Sequence, residues 1–373
     1  MNLPSILKEH DIVLTIGSGN VSGAIVEFGK STKPKILFTH ESHFPVKTDI
    51  DAENLTTHML SAVHACVSAL HKDHKRAIRK VQVVLASPWF SSFSKIITIK
   101  KPAPFSVTKK IVDDLVSEYF EELSKKEAGT KNFLVEKNIS NVRLNGYETS
   151  NPFGQMAETL DISVYASLAP VVTKEQIESE IYTIIHPQEV FFHTFPFVAW
   201  SVLDTLFAPK EDVVFVDIGS ETTDLLVIRR GSIEKSASLP IGINHLNRKV
   251  AAGLDTYPEL AHSLVSVYTA DLAESAVKEK IHTFVSAFGE EWAMQFFQIF
   301  DNHELAGGHF LPQRAYFVSD KHVHNVFNEV IKKQIADTVV LKRDNILQFV
   351  DFQESSEPNI FLILAAVYVH KSK

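Results

Sequence analysis

The sequence predicts a two-lobed α/β protein made by duplication, with a small α+β unit inserted in its first half. Three observations carry this. One plan, strand–polar turn–strand–turn–strand, occurs twice, over 12–39 and 213–239. A helical segment and a buried strand follow the first copy. Between the copies, 93–172 has a different order, strand–helix–strand–strand–strand, and so interrupts the larger repeat.

Residues 12–16 form an apolar strand, followed by Gly17-Ser18-Gly19-Asn20, a strand at 23–28 and a third at 35–39. Runs rich in Val and Ile, bounded by Gly and polar residues, are strand signals. Residues 49–70 are helical, because Leu55, Met59, Val63, Cys66, Val67 and Leu70 recur at three- and four-residue spacing. The basic run 71–80 is a solvated loop or helix end, and 81–86 is a buried strand ending at Ser87-Pro88. In the interrupting stretch, 96–99 is a strand closed by Pro102 and Pro104. A helix then opens on a Ser106/Thr108 cap and places Ile111, Leu115, Tyr119 and Leu123 on one face. Phe133-Leu134-Val135 and Val142-Arg143-Leu144 are two strands around a polar bend, and 160–168 is a long alternating strand. A helix over 173–185, a short strand at 189–192 and a helix over 195–207 lead to the second copy.

There an apolar run, 213–216, ends on Asp217. The turn Gly219-Ser220-Glu221-Thr222-Thr223 follows, then a run at 225–228, a turn at Arg230-Gly231 and a run at 235–239 that stops at Pro240. Two hairpins in series make three antiparallel strands. Residues 245–254 are amphipathic; 257–267 and 270–300 are mostly helical, with Val277, Ile281, Phe284, Phe288 and Trp292 along one face. A strand over 314–320 ends in Ser319-Asp320. A helix at 322–335, strands near Val339 and Leu347 and a helix at 359–369 complete the lobe.

At 373 residues the chain exceeds the usual single core, so two or more domains are expected. Hydrophobic content of 45% with 22% charged residues is that of a globular protein. A net charge of −8 makes no case for binding nucleic acid or a membrane surface by charge. The lone cysteine, Cys66, excludes an intramolecular disulfide and suits a reducing cytosol. The opening residues contain no signal-peptide pattern, and no segment reaches the ~18 apolar residues of a membrane span. The end, His370-Lys371-Ser372-Lys373, carries no long amphipathic tail. The expectation is a cytoplasmic protein without direct membrane insertion, peripheral to the inner membrane only through a partner.

The turn after Asp217 carries the chemistry. An acid at a strand end, a Gly that permits close backbone approach and consecutive hydroxyls make a candidate phosphate cradle, with backbone N–H groups as an anion nest. Asp217 would face a hydrated Mg²⁺, which prefers oxygen ligands. On turn chemistry alone, an ordinary hairpin with a polar tip is the plainer reading. The order Asp217-Ile218-Gly219-Ser220-Glu221-Thr222-Thr223-Asp224, however, resembles the second phosphate motif of the actin-like ATPase superfamily. The stretch 135–154, the strand at 160–168 and the helix from Thr173 are similar to the inserted subdomain of the bacterial actin homologues FtsA and PilM, often called an SHS2 module. The resemblance covers nearly the whole chain. It implies an actin-like, ribonuclease-H-like duplicated α/β fold. Residues 1–90 with 173–211 would form the first lobe, 91–172 the SHS2-type insertion, and 212–373 the second lobe, with an outer helical part at about 245–312.

The resemblance also implies ATP held between two hairpins and a third loop, and each departs from the pattern. The first hairpin has Thr15 where an Asp is usual; a neutral hydroxyl does not balance Mg²⁺, although Gly17, Ser18, Gly19 and Asn20 still offer backbone N–H groups. The second keeps Asp217, Gly219, Thr222, Thr223 and Asp224, but Ser220 and Glu221 replace glycines. Unless it points away or binds metal, Glu221 sets a negative charge where a γ-phosphate would lie. The third loop has Ser319-Asp320 in place of a glycine pair, and Gly307-Gly308 upstream belongs to a loop. These changes argue against ATP hydrolysis and leave weak binding of ATP and Mg²⁺, with Asp217 the metal-facing residue, open.

Among 17 histidines the close pairs His40/His43, His71/His74 and His322/His324 complete no metal spacing. No Gly-x-Ser-x-Gly or phosphate-binding Gly-x-x-x-x-Gly-Lys loop occurs, and 72–80 lacks the interleaved aromatics of a nucleic-acid surface. Of the 26 phenylalanines most read as core, with Phe296-Phe297-Phe300 offering a lesser reading as a partner groove. The functional expectation is a non-enzymatic scaffold of the FtsA/PilM kind. It would link a division or type IV pilus machine to cytosolic parts by binding a cytoplasmic peptide of a membrane protein, with self-association as a further contact. The alternative is an active, polymerising Mg-ATPase. A sugar-kinase relative would need a catalytic base in the first lobe, and none is visible.

Overall fold

In a computed structural model the described residues are 9–29, 33–49, 51–74, 76–126, 131–207, 211–229, 231–301, 311–353 and 356–373. Strands β1 (Glu9–Ile16), β2 (Asn20–Phe28) and β3 (Lys35–His43) form an antiparallel meander. Helix α1 (Ala52–Asp73) starts on Asp51, whose carboxylate accepts the Glu53 N–H at 3.0 Å. It buries the predicted stripe of Met59, Val63, Cys66, Val67 and Leu70 and delivers β4 (Lys80–Leu85) parallel to β1.

The chain then leaves this sheet for a separate four-stranded one. It contains β5 (Ser91–Ser106), α2 (Lys109–Lys126), β6 (Asn132–Leu144), β7 (Tyr147–Glu148) and β8 (Met156–Pro170), with strand order β5-β8-β6-β7. Three sequence expectations change here. Strand β5 continues through Pro102 and Pro104, which sit in a register shift between Lys100 and Phe105 on an edge strand, where a missing N–H costs no ladder bond. The two strands expected around a polar bend are one strand, β6, with shifts at Leu134/Glu136 and Ile139/Asn141. Helix α2 buries Val112, Val116, Phe120 and Leu123, while Ile111, Leu115 and Tyr119 lie at the margin of that core. Both rows repeat every four residues, and only the position of the sheet selects between them.

Helix α3 (Val171–Ile184), β9 (Glu189–Thr194) and α4 (Phe195–Phe207) return to the first sheet, where β9 pairs parallel with β4. The second meander follows: β10 (Val213–Ile218), β11 (Thr223–Arg229) and β12 (Ser232–Leu239). Like the first, it slips register midway, at Val227/Ile228 against Ile25/Val26. Helices α5 (Ile243–Leu254), α6 (Pro258–Thr269) and α7 (Ser275–Asp301) come next. Strand β13 (Arg314–Val318) lies parallel to β10, as β4 does to β1, and helix α8 (His324–Lys332) leads to β14 (Asp337–Val340).

The end of the chain crosses back. Residues around Leu347 form a helical turn after α9 (Arg343–Ile346) rather than the expected strand. Strand β15 (Asp351–Phe352) then pairs with β3 in the first sheet, and α10 (Ile360–Ser372) packs on α4, β1 and β2. Helix α10 is apolar all round for ten residues because it lies between the two large sheets, with Phe195, Phe215 and Ile363 in one core. Phe296 and Phe300 are buried with Trp292 in the core of the second sheet and Phe297 is half-buried against it, so the reading of Phe296-Phe297-Phe300 as a partner groove is corrected: they pack in and on the core. Arg230, Gly307 and Gly308 lie outside the described residues. Among those described, no helix is long and apolar enough to cross a membrane.

Candidate functional site

The two meanders present their first turns to each other. Each turn closes in the same way: Gly17 N–H donates to Asn20 O at 2.9 Å, and Gly219 N–H to Thr222 O at 2.9 Å. The turns also touch. Glu221 N–H donates to Ser18 Oγ at 2.9 Å, and a Cβ on Gly19 would lie 2.0 Å from Ser220 Oγ. Glycine at 19 is therefore what lets the turns meet. The carbonyl of Gly17 accepts Trp89 Nε1–H at 2.8 Å, and that of Gly19 the Phe44 N–H at 2.7 Å. Behind the second turn, the Ile243 and Asn244 N–H groups at the start of α5 donate to Gly219 O (3.0 Å) and Ser220 O (2.7 Å). Such donors would otherwise be orphans of the helix end.

Asp217, next to last in β10, pairs with Asp224 across the hairpin and is 4% exposed. Its Oδ1 lies buried with no hydrogen-bond partner among the described residues. Burial first, then the charges of Asp224 and Asp320, hold its carboxyl well above the usual carboxylate range. Burial also raises Asp224, opposed by bonds from Ser87 Oγ (2.6 Å) and Ser87 N–H (3.2 Å). Thr222 Oγ1 donates to Ser87 O at 3.3 Å, so Ser87, just past β4, is a second stitch between the sheets.

Of the residues singled out from sequence, Gly17, Ser18, Asn20, Asp217, Gly219, Ser220, Thr222, Ser319 and Asp320 line one cleft. Gly19 stands behind it, against Ser220. Thr223 is in the core, donating to Ile241 O at 2.7 Å and accepting Trp292 Nε1–H at 3.1 Å. Glu221 points away from the cleft. Arg248 of α5 grips its carboxylate at 2.6 and 3.2 Å and Asn244 Nδ2 donates to it at 2.8 Å. The expectation that Glu221 opposes a γ-phosphate is corrected: its charge is neutralised on the outer side of the turn. Sequence reasoning missed Ser87, Arg248 and the cleft-lining Phe195 and Phe361. The acid-hydroxyl pairing of Asp224 with a strand-end Ser was the one available signal.

The fit to a nucleotide follows from these distances. Asp217 lines the cleft and keeps one buried oxygen without a partner among the described residues, the oxygen ligand that a hydrated Mg²⁺ takes. Thr15, in the place of a second acid, offers only a hydroxyl that donates to Ser22 O at 3.5 Å. Among the described residues no three His, Cys, Asp or Glu side chains gather to hold a metal. The cleft measures about 80 Å³. Ser18, which lines the cleft, is joined to the second turn by the Glu221 N–H at 2.9 Å.

No family model and no curated protein matches the sequence. Solved structures do. The protein of a "PilM-PilN type IV pilus biogenesis complex" aligns over 97% of this chain and 98% of its own, at 13% identity and TM-score 0.64. The ethanolamine utilization protein EutJ from Carboxydothermus hydrogenoformans aligns over 98% and 90% at 12% identity and TM-score 0.48. A Bacteroides thetaiotaomicron protein described as having an actin-like ATPase fold and unknown function aligns over 97% and 96% at 10% identity and TM-score 0.43. The first of these, matched over both whole chains, carries the conclusion: this chain has the two-lobed, PilM-like form of the actin-like ATPase fold.

Proposed function

We propose that the protein is an adaptor of the PilM kind. Its nucleotide cleft is degenerate, and its role is to join a membrane-associated machine to cytosolic components by binding a short cytoplasmic peptide of a membrane protein. The single observation that carries the first part is the seam that joins the two turns directly, Ser18 to Glu221 and Gly19 against Ser220, in the loops that the resemblance assigns to phosphate. Support for the second part is the full-length likeness to a protein solved within a PilM-PilN complex. The insertion at 91–172 is the natural docking unit in this reading, because it stands apart as its own sheet and core. Pilus and division machines are both candidates for the role, and self-association is a second contact.

Titration of the purified protein with Mg-ATP by calorimetry tests the cleft. No heat and no thermal shift at millimolar nucleotide is expected. A micromolar affinity that Asp217→Asn abolishes would replace the proposal with the second reading, a working Mg-ATPase, which the unpartnered Oδ1 of Asp217 favours. Capture of tagged protein from its source cell, with and without residues 91–172, tests the docking unit. Pilus or division components should be retained only by the intact chain.

A further inference from the structure

The inserted sheet meets the rest of the molecule at a buried carboxylate. Glu136 lies on β6 beside a register shift and is 7% exposed. Its N–H donates to Ser167 Oγ of β8 at 3.1 Å, and that hydroxyl is in close contact with its Oε2. Across the junction, Thr194 at the end of β9 donates its N–H to Oε1 at 2.7 Å and its hydroxyl to Oε2 at 2.8 Å. The next residue, Phe195, lines the cleft. Tyr165 of β8, fully buried, lies with its hydroxyl 3.4 Å from Thr194 Oγ1. One side chain thus ties β6 and β8 of the insertion to the cleft wall.

Among the described residues no cation is paired with it. The groups around it are Ser167 and Tyr165 on β8, Thr194 and His193 on β9, Tyr368 on α10 and, beyond Tyr165, Asp224 on β11. His193 bonds Gln82 at 2.9 Å and stands edge-on to Tyr368 at 5.0 Å; burial lowers it to about 4, so it stays neutral. Lys137, next along β6, places its Nζ 4.6 Å from the centre of the Phe120 ring in the separate core of the insertion. Burial pushes the Glu136 carboxyl up to about 7, against the opposing pull of the Ser167 and Thr194 bonds.

We propose that Glu136 is a protonation-controlled bolt: neutral, its Oε2–H donates to the Thr194 or Ser167 hydroxyl while Oε1 still accepts the Thr194 N–H, and this fastens the inserted sheet to the cleft wall; ionised, it is a buried charge without a counter-cation and loosens that junction. The proton leaves to solvent and an anion remains among hydroxyls and rings without a counter-charge, a state relieved by admitting water. The carboxyl sits higher in the folded protein than its ordinary 4.5. Its contribution is therefore complete below that value and is lost as pH rises through about 7. The adaptor reading is not needed for this, since the junction is present whatever the insertion binds.

Spin labels on Glu148→Cys in β7 and Lys72→Cys in α1, both exposed, measure the position of the insertion on the first lobe. The buried native Cys66, its thiol pushed up to about 12, stays unlabelled. The expected result is one narrow distance distribution near pH 5.5 and a second, broader population near pH 8.5, each about 1.5 units from the transition. In the Glu136→Gln background the distribution should stay narrow throughout. A distribution that does not change with pH in the Glu136 protein overturns the proposal, whether or not the Gln variant folds. A Gln variant that broadens like its parent overturns it too.

Discussion

The two turns that meet at the centre of this molecule have one backbone and two chemistries. Both are closed by a glycine N–H on a carbonyl three residues later, at the same 2.9 Å. The first turn is small and precedes nothing charged: Gly17-Ser18-Gly19 follows Thr15. The second follows the buried Asp217 and carries Ser220 and Glu221, one filling the space over Gly19 and the other turned out onto Arg248. The difference teaches how a duplicated frame can bring its two turns into contact. The second turn supplies the bulk and the first supplies the room for it. The duplication is kept in hydrogen bonds and lost in side chains, and a binding site is made of side chains and of the space between them.

Substitutions can break this seam in order of severity. Gly242→Ala would set a methyl 2.5 Å from Gly219 O and 2.6 Å from Ser220 O, backbone atoms held by α5 that cannot swing aside. Urea unfolding should show a loss of about 3 kcal/mol. A loss no larger than that of a surface substitution would mean that the second turn is not seated on α5 in this way. Next is the Glu221–Arg248 pair, whose side chains are mostly buried, 11% and 16% exposed. Arg248→Ala should cost about 2 kcal/mol, and a double-mutant cycle with Glu221→Gly should give a coupling of about 1 kcal/mol or more. The same Glu221→Gly protein should gain no Mg-ATP binding by calorimetry, since the carboxylate does not face the cleft. ATP binding in that variant would restore Glu221 as the barrier.

Gly19→Ala comes next: its methyl would lie 2.0 Å from Ser220 Oγ, which can rotate away, and 2.4 Å from Ser220 Cβ, which moves only with its backbone. About 1 kcal/mol of destabilisation is expected, and adding Ser220→Gly should recover it in the same unfolding measurement. Failure of that rescue would deny that bulk in one turn answers space in the other. The smallest effect has the opposite sign. Asp217 titrates above its ordinary value in the folded chain, so it weakens folding as pH rises beyond 3.8. Asp217→Asn should raise the melting temperature by about 2 °C at neutral pH and change nothing near pH 3. A variant less stable than its parent at neutral pH, in the presence of Mg²⁺, would reveal a bound cation instead.

Much of this was legible in the sequence, for a physical reason. Strand and helix periods are local, so Ile12, Val213 and the Met59–Leu70 stripe announced their elements without any knowledge of what they pack against. The turns were legible because glycine at 17 and 219 and the polar residues after it satisfy a local backbone need. What was not legible lay where two segments compete for one role. The Ile111 and Val112 rows of α2 have the same spacing, and the inserted sheet chose the second. Pro102 and Pro104 marked an end to β5 only until the neighbouring edge was seen to be unpaired. Nothing near Asp351 announced that it would leave the second sheet and pair with Lys35.

The sequence by itself determined the duplicated frame, the inserted unit and the acid at the end of β10. These rest on short-range periodicity and turn chemistry, which a chain carries with it before it folds. Tertiary structure alone decided the direction of Glu221, the partnership of Asp224 with Ser87, and the close approach of Ser220 to Gly19. Those depend on how far apart two sheets stand and on which side of a turn a basic helix lies. Distances between remote segments are set by the packing of whole cores, as with Phe195, Phe215 and α10 between the sheets, and no local spacing encodes them.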